Sequence, residues 1–83
     1  MAMQRSEQHK TAALAKTADA TRQLRRIETD LETAVARSMY WGATWAEIAE
    51  QLGVTPQAAH KRFRRLRYDP TSRKAWHEPP LPM

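Results

Sequence analysis

Cysteine is absent from this 83-residue chain, so neither a disulfide framework nor a thiolate metal site can stabilise it. Glycine is nearly absent: Gly42 and Gly53 are too few for a loop that cradles phosphate. No apolar run approaches the roughly 18 residues that a membrane span needs, and no signal peptide opens the sequence. The expectation is a cytoplasmic protein with no membrane contact. The three histidines, His9, His60 and His77, lack metal-ligand spacing and are joined by no acid or hydroxyl constellation. No metal, cofactor or catalytic site is expected, and the chain reads as a non-enzyme.

Large core-forming side chains are also scarce. Hydrophobic residues make up 41% of the chain, but 14 of them are alanine. Leu, Ile, Val and Phe together number 11, about 13% and below the rough 20% at which a globular core becomes doubtful. A chain this short buries only about 60% of its surface even with a rich core. Self-association or a partner is therefore expected to supply what the core does not.

What the sequence has in excess is positive charge, and the charge is localised. Residues 1–54 carry seven basic and seven acidic side chains, whereas residues 55–83 carry seven basic and two acidic ones. The excess peaks at His60-Lys61-Arg62-Phe63-Arg64-Arg65-Leu66-Arg67. A basic stripe beside a neutral body suits a polyanion, most often nucleic acid.

Periodicity divides the chain into an all-α pattern. Met1 to Arg5 are expected to fray. Residues 6–41 contain no Gly or Pro and carry small or apolar residues at spacings of three and four, the mark of a long amphipathic helix. That helix is either broken near Ala18–Thr21 or continuous and paired with a second copy. Residues 27–41 are expected to pack on the rest of the chain, and the upstream part to join a homodimer. Leu14, Leu24, Ile27 and Leu31 are the dimerisation candidates. Gly42 ends the helix, and Thr44-Trp45-Ala46-Glu47 has the form of a capping box. Trp41 and Trp45 read as core or staple residues.

A short helix from Trp45 to Gln51 ends at Gly53, and Val54 is placed to fill the corner. Thr55-Pro56 then caps a third helix predicted to run to Arg67, with proline at the first helical position. Ile48, Leu52, Ala59, Phe63 and Leu66 converge on one core. Residues 44–67 thus have the form of a helix-turn-helix. Four of the five prolines lie beyond, and residues 68–83 read as an extended, flexible, Pro-rich tail.

Thr44-Trp45-Ala46-Glu47-Ile48-Ala49-Glu50-Gln51-Leu52-Gly53-Val54-Thr55, continuing through Ala59-His60-Lys61-Arg62-Phe63-Arg64-Arg65-Leu66-Arg67, resembles bacterial helix-turn-helix DNA-binding domains. It is most similar to the fourth region of sigma factors and to small actinobacterial regulators. The resemblance covers less than a third of the chain. It implies that the third helix enters the major groove of double-stranded DNA, and hence a nucleoid location.

With Ala59, Phe63 and Leu66 turned inward, Gln57, His60, Lys61 and Arg64 project outward as candidate base readers. Arg62, Arg65 and Arg67 suit phosphates, as do the helix termini at Thr44 and Thr55. The expected function is a sequence-preferring, dimeric transcriptional regulator. The alternatives are a nucleoid-associated protein with weak sequence preference, or a sigma-like module that binds RNA polymerase or another regulator.

Overall fold

The computed structural model describes residues 2–82. Three helices, α1 (Ala2–Tyr40), α2 (Trp45–Leu52) and α3 (Pro56–Phe63), are followed by two strands, β1 (Leu66–Asp69) and β2 (Lys74–His77). The fold is mostly helical but not all-α.

Helix α1 is continuous through Ala18–Thr21. The weak helix formers there have their polar groups satisfied within the helix: the Thr17 hydroxyl donates to the Ala13 carbonyl at 2.9 Å, the Thr21 hydroxyl to the Thr17 carbonyl at 2.8 Å, and the Asp19 carboxylate pairs with Arg22. Ala2 to Arg5, expected to fray, belong to the helix, and Met1 lies outside the described residues. The helix ends at Gly42 (φ +94°), where the Gly42 amide donates to the Met39 carbonyl and the Ala43 amide to the Ser38 carbonyl. This double bond pattern satisfies the last carbonyls and requires a left-handed residue at the glycine.

The buried core is small: Val35 and Ala36 from α1, Ile48 and Ala49 from α2, Ala59 and Phe63 from α3, and Leu66 from β1. Every α3 and strand residue in that set follows the expected pattern. Burial begins later along α1 than expected. Leu31 is the first half-buried residue of the helix, and Ile27 remains 62% exposed. Residues 5–30 of α1 all lie in solvent. This projection gives the molecule extents of 61 × 30 × 27 Å and a radius of gyration of 19.0 Å, where a globule of this length would have about 12 Å.

The largest departure from expectation is at the C-terminal end. Helix α3 stops at Phe63, four residues early, and the chain turns at Arg64 and Arg65 into an antiparallel hairpin. Leu66 pairs with His77, Arg67 with Trp76, Tyr68 with Ala75 and Asp69 with Lys74. The alternation of a strand turns Leu66, Tyr68 and Ala75 toward the core residues of α1. Asp69 builds the connection: its carboxylate accepts from the Thr71 amide at 3.0 Å and the Ser72 hydroxyl at 2.9 Å, and its carbonyl from the Arg73 amide at 2.7 Å. Of the expected tail, residues 78–82 have no regular structure and are exposed, and Met83 lies outside the described residues.

Among the described residues, no helix is long and apolar enough to cross a membrane.

Candidate nucleic-acid interface

The two caps that orient α2 and α3 are read directly from the sequence. At α2, the Glu47 amide donates to the Thr44 hydroxyl at 3.1 Å while the Glu47 carboxylate accepts from the Thr44 amide at 2.9 Å. At α3, the Ala58 amide donates to the Thr55 hydroxyl at 3.1 Å, with Pro56 at the first helical position. Between them Gly53 (φ +70°) reverses the chain, and the Val54 amide donates to the Ala49 carbonyl at 3.1 Å. Val54 itself is 46% exposed rather than filling the corner. Ala49 of α2 and Ala59 of α3 are each only 1% exposed, small residues buried where the two helices pack.

Burial of Ala59 and Phe63 fixes which side of α3 faces outward. Gln57 and Lys61, one helical turn apart, point away from the core. His60 lies on the flank toward α2, with its ring edge-on to Trp45 at 5.3 Å. Arg62 lies on the opposite flank. Its guanidinium sits 4.8 Å from the Phe63 ring centre and borders a cleft lined by Leu31, Leu52 and Val54. Arg64 caps the C-terminus of α3, and Arg65 continues the turn. Gln57, His60, Lys61, Arg62, Arg64 and Arg65 are all exposed, with Gln57 and Lys61 on the outer side of α3, His60 and Arg62 on its two flanks, and Arg64 and Arg65 beyond its last turn.

None of these six takes part in an ion pair among the described residues, where the pairs are Lys10–Glu7, Arg22–Asp19, Arg67–Glu78 and His77–Glu32. Three acidic groups of the C-terminal half are engaged elsewhere. Glu47 is held by Thr44, whose amide and then hydroxyl keep its carboxyl below the usual carboxylate range. Asp69 is held low by the Ser72 hydroxyl and then the Thr71 amide. Glu78 is bound to Arg67.

Two candidate phosphate contacts are altered by this geometry. Arg67 is on β1, not α3, and its guanidinium meets the Glu78 carboxylate at 2.7 Å and the Arg64 and Leu66 carbonyls at 2.9 Å. Both the amide and the hydroxyl of Thr44 are taken by the Glu47 carboxylate, so an anion at that terminus would meet a negative charge. The α3 terminus at Thr55 differs, having no acidic residue in its first turn.

Sequence reasoning missed the hairpin and what it carries. The signal was present in Asp69-Pro70-Thr71-Ser72, a turn-forming run between Leu66-Arg67-Tyr68 and Lys74-Ala75-Trp76-His77. The hairpin adds Arg73, in the left-handed region at φ +59°, and Lys74 to the exposed cations. Trp41 is also not a core residue: it is 75% exposed, edge-on to Tyr40 at 5.3 Å. Trp45 is half-buried against the core. The chain matches no protein-family model, no curated protein and no solved structure.

Proposed function

We propose that this protein binds double-stranded DNA as a helix-turn-helix transcriptional regulator, with α3 as the element that enters the major groove. The supporting observation is the exposed set Gln57, His60 and Lys61 on a helix whose opposite side is locked into the core, with Arg62, Arg64 and Arg65 exposed beside it, none of them in an ion pair among the described residues. The sequence resemblance over residues 44–67 points the same way. Because α3 has only eight residues, base reading falls to Gln57, His60 and Lys61, with Arg64 at the helix end. Gln57 suits the adenine edge, and Lys61 and Arg64 suit guanine O6 and N7, at roughly 1–3 kcal/mol of discrimination each. Arg62, Arg65 and the open α3 terminus at Thr55 grip phosphates and set the register.

One module of this size makes few base contacts, so selectivity calls for two. The exposed side chains of Leu14, Leu24 and Ile27 on the projecting part of α1, continuing to Leu31, provide a surface on which a homodimer forms.

The experiment is a selection from random duplexes followed by footprinting and a salt titration. A regulator yields an enriched motif and a ratio of specific to non-specific affinity of about a thousandfold or more. A nucleoid-associated protein yields a steep salt dependence with no motif. A module that binds RNA polymerase without touching DNA yields no duplex affinity at moderate salt.

A further inference from the structure

Residues 5–30 of α1 stand in solvent over about 39 Å at 1.5 Å per residue. Along that length Ala13, Thr17, Ala20, Leu24, Ile27 and Leu31 form one stripe, spaced four, three, four, three and four. This is the seam spacing of a paired helix. Leu24 and Ile27 are 55% and 62% exposed, while Leu31 already packs against the core. The stripe therefore runs from the solvated rod into the body of its own chain. A second α1 is the occupant that fits it, and charge and side-chain size both indicate the direction in which it lies.

Two blocks of α1 carry charge of one sign each. Residues 10–16 hold Lys10, which pairs with Glu7 one turn back, and Lys16, which is in no ion pair among the described residues; residues 28–32 hold Glu28, Asp30 and Glu32, of which Glu32 faces His77. A parallel, in-register pair sets each block against its own copy, like charge on like. An antiparallel pair with its twofold near Arg22 sets each block against the other. Lys16 then flanks the seam on the same side as the partner's Asp30. Arg22, Arg25 and Arg26 lie on the far side of the helix, away from the seam.

Side-chain size selects the same register. The antiparallel arrangement places Leu24 on the partner's Ala20, Ile27 on the partner's Thr17 and Leu31 on the partner's Ala13. Large residues face small ones in every layer, and the layers fill evenly. The parallel arrangement stacks Ala13, Thr17 and Ala20 on their own copies and leaves those layers underfilled.

We infer that α1 is the seam of an antiparallel homodimer centred near Arg22, recognised by the match of its basic and acidic blocks. This deepens the dimer reading above and rests on it, but not on the contact between α3 and DNA. The C-terminal ends of the two α1 helices then lie about 54 Å apart, 18 residues to either side of the twofold at 1.5 Å per residue. The two α3 surfaces sit at opposite ends of a rod instead of side by side.

The absence of cysteine makes the test direct. Gln23→Cys and Ala13→Cys are made separately in the full chain, checked for helix content by circular dichroism, and oxidised mildly. In the antiparallel pair Gln23 lies beside its own copy, so Gln23→Cys gives a covalent dimer, and Ala13→Cys does so only when mixed with Leu31→Cys. A covalent dimer from Ala13→Cys alone overturns the orientation and leaves the dimer standing. Sedimentation equilibrium showing a monomer at all concentrations overturns both.

Charge exchange gives an independent reading. Lys16→Glu and Asp30→Lys each weaken self-association roughly tenfold, through two symmetry-related pairs, and the double variant recovers it. Failure of the double variant to recover overturns the pairing. A duplex mobility shift on the same variants reports DNA binding separately, so its loss with an intact dimer counts against the proposed function alone.

Discussion

Arg67 and Glu78 meet at 2.7 Å across the base of the hairpin, so one of the cations in the basic run is already neutralised by the chain's own carboxylate. The pair is about half exposed, which limits its contribution to stability to at most about 1 kcal/mol. Its main effect is on the charge available to the proposed DNA contact. Arg67→Ala is expected to change duplex affinity less than Lys61→Ala does, and to leave the slope of log affinity against log salt unaltered. Glu78→Ala frees Arg67 and is expected to steepen that slope by up to about one unit. Fluorescence anisotropy at four or five salt concentrations distinguishes these variants from wild type.

Lys61 and Phe63 are two residues apart and point in opposite directions, one exposed and one 3% exposed in the core. Lys61→Ala is expected to weaken duplex binding, reduce the salt slope by about one and leave the unfolding midpoint unchanged. Phe63→Ala removes the one buried aromatic residue of the core and is expected to cost about 3–5 kcal/mol, enough to unfold a chain with so few buried side chains. Equal destabilisation by the two substitutions, measured by urea denaturation, would refute the assignment of faces.

The sequence was most informative where local chemistry alone determines structure. Thr44 with Glu47, Thr55 with Pro56, and the two glycines mark helix ends through bonds that span only three to five residues, and each formed as the residue types dictate. Periodicity likewise identified Ala59, Phe63 and Leu66 as buried, although it placed Leu66 on a helix that ends three residues sooner. Arg64, Arg65 and Arg67 are strong helix formers, which hid the change of direction at Arg64. That change is decided by a distant event, the packing of Tyr68 and Ala75 on α1. Similarly, the pairing of Arg67 depends on Glu78 reaching back along the hairpin, which no spacing rule reveals. The surface residues of α3 were legible because they are what remains once the core face is known.

Gly53 adopts φ +70° at the turn between α2 and α3, and a Cβ added there would meet no atom within 4 Å. Crowding is therefore not the obstacle to substitution, and the backbone conformation is. Gly53→Ala is expected to lower stability by about 1–2 kcal/mol, the usual cost of a left-handed residue that bears a Cβ. Gly53→Asn, whose side chain tolerates that region better, is expected to lose less. Chemical denaturation of the three proteins gives the order wild type, Asn, Ala, and a reversal of the last two would contradict a conformational origin.

Acid should loosen the fold through Glu47 and Asp69. Both carboxyls are held below their ordinary values of 4.5 and 3.8 by hydrogen bonds that exist only in the folded chain. A carboxyl with a depressed folded pKa adds stability that is fully present above its unfolded pKa and disappears as pH falls through the folded one. Stability is therefore expected to be level near neutrality and to decline below the ordinary carboxylate range. Glu47→Gln keeps an acceptor for the Thr44 amide but cannot titrate. Its stability should fall less than that of wild type between about pH 5 and pH 2.5, with the remaining decline carried by Asp69. Superimposable acid profiles for wild type and Glu47→Gln, followed by denaturant midpoint at each pH, would show that the α2 cap does not couple folding to protons.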